Sequence, residues 1–317
     1  MEKVRWGFIG AGMIAKKALW PALLNSQVGE IYAVAATDAE RAKALSPSGR
    51  IYTNYDDLLA DPNVEAIYIS LPNSLHMPWS IRALEAGKHV LCEKPLAMNA
   101  NEVREGIKVQ EKTGKFFMEA SWNRWHPRTI RLNEIVKSGA IGEVKEIRTA
   151  FTYTDLDPKN IRAIYELGGG GLYDIGCYPI TLARFVFGAD PKRVTGVFDR
   201  DPSFKTDRLM SGLADFGEGR HLSFTVATQG APYQRTVIMG DKGTIEVEIP
   251  VNAPPDLPNR FTISIRGKSP AVIAMPIADQ YQLQAEAFGK AIRTGKPLRF
   301  DQRDAVETMR IIDAFFA

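Results

Sequence analysis

A chain of 317 residues has material for two domains more readily than one, and its 45% hydrophobic and 24% charged make-up excludes disordered, collagen-like and disulfide-scaffold classes. With 40 Lys and Arg against 37 Asp and Glu, the net charge of +3 is too slight to clamp a nucleic-acid backbone. No apolar run reaches the roughly 18–20 residues of a membrane span, and the only cysteines, Cys92 and Cys177, suit a reducing, cytoplasmic setting.

The opening MEKVRWGFIGAGMIAKKALW is basic and then apolar, as a signal peptide is, but Gly10, Gly12, Lys16 and Lys17 break the apolar stretch, so it reads as folded protein. Val4–Ile9 predicts a strand entering Gly10-Ala11-Gly12-Met13-Ile14-Ala15 and then a helix. Gly10 would allow the tight turn, Gly12 a close approach to a pyrophosphate, and Ala15 close packing, with Met13 and Ile14 beside the same cofactor. Pro21 is expected to end or kink that helix. Glycine turns are common, and the alternation that follows is what gives this one weight. Strands are expected at Ile31–Ala36, Ala66–Leu71 and His89–Leu91, with helices from Ala39 and at Trp79–Ala86. A doubly wound, parallel dinucleotide-binding domain over residues 1–121 follows, with residues 122–317 left for substrate and oligomer contacts. At the end of the second strand an acid would bind the ribose of NAD, and an arginine the phosphate of NADP. Asp38 is either that acid or the N-cap of the next helix. Thr37 and Arg41 tilt the reading from NAD toward NADP.

Two later segments leave strands with more specific sequences: Leu71-Pro72-Asn73-Ser74-Leu75-His76, and Ala86-Gly87-Lys88-His89-Val90-Leu91-Cys92-Glu93-Lys94-Pro95-Leu96-Ala97. With Gly168-Gly169-Gly170-Gly171-Leu172-Tyr173-Asp174-Ile175-Gly176-Cys177-Tyr178 and Ile238-Met239-Gly240-Asp241-Lys242-Gly243-Thr244, the sequence resembles the Gfo/Idh/MocA oxidoreductases over almost its whole length. Many of these carry histidine where this chain has Tyr178; it is similar to the tyrosine-containing subgroup that includes glucose–fructose oxidoreductase, dimeric dihydrodiol dehydrogenase and pentose dehydrogenases. The resemblance implies an N-terminal Rossmann domain, a C-terminal α+β domain on a large, mostly antiparallel open-faced sheet, an active site between them, and a homodimer or higher oligomer formed through the sheet's open face. Runs rich in β-branched and aromatic residues agree: Val144–Tyr153, Arg193–Phe198, His221–Thr228, Arg235–Met239 and Thr244–Ile249, with a turn at Asp241-Lys242-Gly243.

Oxidising an alcohol needs a hydride acceptor and a group that takes the hydroxyl proton. The resemblance implies that Lys94 acts at the reacting oxygen and that the Lys94–Pro95 bond is cis. A lysine there polarises a carbonyl or stabilises an alkoxide; without the motif it would be a solvent-facing residue after a strand. Asp174 and Tyr178, four apart at the start of a helix expected over Asp174–Phe187, share a face. Tyr178 or Lys94 would exchange the proton, with Asp174 orienting substrate or lysine; the plainer alternatives are a helix cap and a half-buried aromatic. The four glycines read either as a flexible loop or, preferably, as a close approach of backbone to ligand. Pro72, Asn73, His76 and Glu93 are implied cofactor contacts, Glu93 alternatively bracing its turn. Trp122 and Arg124 are candidates to line the cofactor or substrate pocket, and Phe151 and Tyr153 to add an aromatic wall to the substrate pocket, the last two also open to a packing role. No paired-cysteine or HExxH spacing predicts a metal. The leading expectation is an NAD(P)-dependent dehydrogenase or reductase of a sugar or small polyol, ahead of an NAD-dependent glycosidase with transient redox and a non-catalytic NAD(P)-binding sensor.

Overall fold

The computed structural model describes residues 2–46, 48–300 and 302–317. They form two compact units, one of residues 1–122 with 281–309 and one of 123–280 with 310–317. The first opens with β1 (Val4–Ile9), α1 (Trp20–Leu24), β2 (Gly29–Ala35), α2 (Ala39–Leu45), β3 (Ile51–Tyr52), α3 (Tyr55–Ala60), β4 (Ala66–Ile69), α4 (His76–Glu85), β5 (His89–Glu93), α5 (Ala100–Thr113) and β6 (Phe117–Ala120). Its strands pair in parallel in the order β3-β2-β1-β4-β5-β6, the doubly wound arrangement expected. Central strands of such a sheet are covered on both faces, and every residue of β4 is buried.

Pro21 does not end its helix. Ala15–Leu19 forms a wide π turn, closed by Trp20 N–H donating to Ala15 O, and Pro21 then sits in the first turn of α1, where its missing N–H costs nothing. The same tolerance places Pro78 in the first turn of α4, which starts at His76 rather than Trp79. Helix α5, flanked by polar sequence, is delimited by its ends. The Asn99 side chain accepts the Glu102 N–H, Glu102 accepts in return from Met98 N and the Asn99 amide, and Gly114 closes the helix in the left-handed region.

The second unit contains α6 (Pro127–Lys137), β7 (Val144–Thr154), α7 (Cys177–Phe187), β8 (Arg193–Arg200), β9 (Asp207–Gly217), β10 (Arg220–Ala227), β11 (Gln229–Gly240), β12 (Gly243–Glu248), β13 (Asn259–Ile265) and β14 (Ala271–Met275). The strands make one sheet in the order β14-β13-β12-β11-β7-β10-β9-β8, antiparallel except where β7 meets β10. Strict alternation divides its faces. Met210, Ala214, Leu222, Phe224 and Val226 are buried, whereas Val197, Leu209, Leu213 and Tyr233 are exposed. Arg148, Val197, Leu213, Tyr233 and Arg235 line a shallow concavity of about 490 Å³ on the uncovered face.

Two helices remain, α8 (Gln280–Thr294) and α9 (Arg303–Phe316). The expected division at 121/122 is corrected at the C-terminal end, because residues 281–309 return to the first unit. Phe288 packs on Trp6 with ring centroids 5.5 Å apart, Arg293 forks onto Glu65 at 2.6 and 2.8 Å, and the Gln284 amide donates to Glu119 O. A central strand buried on both faces needs this cover, which the local pattern of residues 280–294 does not assign to either unit. Among the described residues no helix is long and apolar enough to cross a membrane, and no cluster of His, Cys, Asp and Glu could hold a metal ion.

Candidate active site

In the first unit the candidates gather at the carboxyl ends of β1, β2, β4 and β5. Gly10 has φ +92°, and a Cβ there would lie 3.0 Å from Ser70 O, so only glycine lets the turn pass the end of β4. The first bond into the π turn runs from Lys16 N to Gly12 O, and the first amides of a helix have no partner within it, as a pyrophosphate site requires. Met13 is 64% exposed there, with Ile14 half-buried. The turn fits a dinucleotide pyrophosphate. Asp38 Oδ1 accepts the N–H groups of Glu40 and Arg41 at 3.0 and 3.1 Å, so it is the N-cap of α2. Thr37 and Arg41 are exposed beside it.

Lys94 is half-buried directly after β5, its peptide bond to Pro95 cis, on a turn whose neighbours are almost all buried. Three side chains hold that turn. Tyr68, wholly buried on β4, donates its hydroxyl to Glu93 Oε1 at 2.5 Å. Burial raises the Glu93 carboxyl to about 7, against the opposing Tyr68 hydrogen bond and the Lys94 charge. Glu119, on β6, accepts the Leu96 N–H at 3.0 Å through Oε1 and the Ser121 hydroxyl through Oε2. His76 places Nδ1 2.7 Å from Pro95 O and Nε2 2.8 Å from Leu71 O. Burial lowers its imidazole to about 4, opposed by those two carbonyls and aided by Lys94. The neutral ring therefore has one N–H for two carbonyls. Both ring nitrogens of His76 and the Glu93 carboxylate face the protein, so each braces the backbone beside Pro72, Asn73 and Lys94. Pro72 and Asn73 themselves are half-buried at the start of a 3₁₀ turn.

Trp122 also belongs to this unit and is 2% exposed, packed edge-on to Tyr281 and Tyr68 at centroid distances of 4.9 and 6.3 Å. Arg124, half-buried in the second unit, lies 6.0 Å over the Phe185 ring.

The second unit assembles the remaining candidates against β7. Phe151 and Tyr153 lie two apart on that strand and face the same way. Phe151 stacks on half-buried Tyr178 with centroids 6.1 Å apart, and the Tyr153 hydroxyl donates to Asp174 Oδ2 at 2.7 Å. The same oxygen accepts Arg162 Nε at 2.9 Å. The Asp174 charge and burial together push the Tyr153 phenol far above the usual range, and Asp174 strengthens the Arg162 base. Asp174 lies in a π turn over Leu172–Gly176 that precedes α7, not at a cap. The capping acid is Asp207, which accepts Leu172 N–H at 2.7 Å and which burial raises to about 6. The glycine run is buried against the protein's own atoms: a Cβ on Gly169 would overlap the Arg162 carbonyl, and one on Gly170 the Asp207 carboxylate. The backbone of the run makes close approaches to Arg162 and Asp207. Neither residue carries a sequence signal, Arg162 sitting in an aperiodic stretch and Asp207 opening a strand that the pattern missed.

Residues 4–121 match the oxidoreductase family's NAD-binding Rossmann fold and residues 129–246 the GFO/IDH/MocA C-terminal domain. The chain is 33% identical to a D-xylose 1-dehydrogenase (NADP+) of Haloferax volcanii, over 98% of this chain and 96% of the relative. It is 34% identical to the trans-1,2-dihydrobenzene-1,2-diol dehydrogenase of Mus musculus, over 77% and 74%. The crystal structure of a 3-ketoreductase from Actinomadura kijaniata, solved with NADP and TDP-benzene, superposes with a TM-score of 0.95 at 28% identity, covering 99% of this chain and 97% of that one. With both domain models in order and relatives matched along their length, the chain belongs to the Gfo/Idh/MocA oxidoreductase family.

Proposed function

We propose that this NAD(P)-dependent oxidoreductase transfers a hydride between nicotinamide and a hydroxyl-bearing or carbonyl carbon of a sugar or related polyol, with Lys94, Asp174 and Tyr178 as its catalytic groups. The observation that carries the reading is Lys94: one half-buried ammonium on a turn fixed by three buried side chains, where a solvent-facing lysine would have no such support. When bound, the nicotinamide supplies the hydride acceptor or donor. Lys94 donates a hydrogen bond to the reacting oxygen and favours its anionic form. Tyr178 exchanges the hydroxyl proton, its ring steadied on Phe151. Asp174, an acceptor held by Arg162 and Tyr153, orients a substrate hydroxyl.

Asp38 spends Oδ1 on capping α2, and Thr37 and Arg41 stand exposed beside it, which favours NADP over NAD. Gly10, Gly12, Met13 and Ile14 would hold the pyrophosphate and Pro72, Asn73 and Lys94 the nicotinamide half. The 3-ketoreductase solved with NADP and the NADP-named xylose dehydrogenase support that choice. Val197, Leu213 and Tyr233 on the uncovered sheet face, where a free apolar surface is costly, fit a homodimer formed there. Two buried thiols suit a cytoplasmic enzyme.

The test mixes purified protein with NAD or NADP and a panel of aldoses, inositols and trans-dihydrodiols, following nicotinamide absorbance. Turnover with one class that disappears in Lys94→Met supports the assignment. Tight cofactor binding without net redox change across the panel overturns it.

A further inference from the structure

The residue that has no contact with substrate in the proposed chemistry, yet which the fold goes to some length to place, is Arg162. It comes from the segment between β7 and α7, within a 3₁₀ turn over Ile161–Ala163 capped by Asn160, whose Oδ1 accepts the Arg162 N–H at 3.0 Å. The Arg162 carbonyl accepts the Gly170 N–H at 3.0 Å, and the Ile164 carbonyl accepts the Gly169 N–H at 3.0 Å. A Cβ on Gly169 would overlap the Arg162 carbonyl and press on the Ile164 carbonyl. The glycine run therefore seats the backbone of residues 162–164. From that seat the guanidinium Nε reaches Asp174 Oδ2 at 2.9 Å, on the oxygen that also accepts the Tyr153 hydroxyl. Two donors from different elements, a strand and an irregular turn, converge on one oxygen of a side chain that is 12% exposed. The Arg162 side chain is itself 38% exposed, and its charge-assisted bond to the shielded carboxylate carries geometric specificity.

We infer that Arg162 is a positioning residue for the reaction, holding the Asp174 carboxyl group fixed in rotation, and that the glycine run seats it there. The inference rests on the proposed catalytic role of Asp174. Tyr153 and Asp155 are the other titratable groups whose charges bear on the pair. Arg162 acts through Asp174 and touches no reacting atom.

Turnover, cofactor affinity by nicotinamide fluorescence, and melting temperature are measured for wild type, Arg162→Met, Arg162→Lys, Gly169→Ala, Asp174→Asn and the Arg162→Met/Asp174→Asn double variant. Arg162→Met is expected to lower kcat by about 100-fold, the loss that a misplacement near 1 Å brings. KM for the cofactor should move by less than about threefold. Arg162→Lys, which keeps the charge without the planar fork, should recover part of the rate, and Gly169→Ala should resemble Arg162→Met. In the Asp174→Asn background the arginine change should add no further loss. Full activity in Arg162→Met overturns the inference, and so does an undiminished loss in the Asp174→Asn background. If Arg162→Met does not fold, Arg162→Lys takes its place in the same cycle. An inactive wild type would count against hydride transfer itself; Arg162 would then be judged by the melting cycle, in which non-additive shifts support the pairing with Asp174 and additive ones overturn it.

Discussion

The two halves of the proposed catalytic set, one in each unit, are held by different means. Lys94 is placed by side chains that grip backbone: His76 bridges Pro95 O and Leu71 O, Glu119 holds Leu96 N–H, and the buried Tyr68–Glu93 pair fixes the residue before it. Asp174 is placed by side chains that grip its own carboxylate, Arg162 and Tyr153. Backbone-directed bonds fix a turn whichever side chain it carries. Carboxylate-directed bonds weaken when the charge is lost. Loss of Lys94 should thus leave its surroundings intact, whereas changes around Asp174 should propagate into rate.

The largest expected effect tests the first half. Lys94→Met should lower kcat by about 10³-fold or more, the range for a lost electrostatic stabiliser, with melting temperature near wild type; a large fall in melting temperature would show that the turn depends on its lysine. Next, His76→Ala strips a buried carbonyl of its ring N–H donor and opens a cavity, which should cost on the order of 2–4 kcal/mol in chemical denaturation. An unchanged denaturation midpoint would mean that Glu119 and Tyr68–Glu93 hold the turn alone.

The same contrast explains what could be read from the sequence. The Rossmann half announces itself because parallel strands buried on both faces are continuous apolar runs, and because Gly10 and the turn at Lys94 lie where those runs end. Asp38 illustrates a local rule: an acid just before a helix caps it, as the bonds to Glu40 and Arg41 show. Lys94, Asp174 and Tyr178 are visible through motifs. Their supports are not. Arg162 and Asp207 reach their partners across 12 and 35 residues of sequence, through glycine backbone and a strand start, and no periodicity encodes such contacts. His76 and Glu93 stand out as motif residues, yet only burial reveals that they face the protein. The return of residues 281–309 to the first unit is a tertiary decision of the same kind.

A smaller effect probes the second half. Asp207→Ala removes the acceptor at Leu172 N–H and should destabilise the protein by about 1–2 kcal/mol, as lost caps do. Asp207→Asn keeps an acceptor and should retain most of that stability. If Asn is as damaging as Ala, the charge rather than the hydrogen bond holds the start of the π turn.

The smallest expected net effect is the pH dependence of stability, because the two kinds of buried group oppose each other. His76, His89 and His126 are lowered by burial to about 4 from an ordinary 6.5, so they stay neutral in the fold while the unfolded chain takes up their protons; their contribution is lost as pH falls from 6.5 toward 4. Glu93 and Asp207 are raised by burial to about 7 and about 6, so the folded state binds their protons first and stability is gained as pH falls toward 4.5 and 3.8. Between pH 7 and 6.5 proton uptake by folded Glu93 is offset by the three unfolded histidines, which are already partly protonated there, so acidification brings no gain. Below 6.5 the histidines outnumber the acids, and stability should decline by about 1 kcal/mol per pH unit, the worth of roughly one uncompensated proton. Asp61, Glu65, Glu146 and Asp201, all held below their ordinary values, give way only at lower pH. Urea denaturation from pH 5 to 8 should therefore show a plateau at pH 7 and above and a decline below it. Glu93→Gln should steepen the acid limb to about 2–3 kcal/mol per pH unit, because one of the two opposing acids is gone. An acid limb no steeper in Glu93→Gln would mean that the Tyr68–Glu93 pair does not take up its proton near neutrality, and that a permanent negative charge stands beside Lys94.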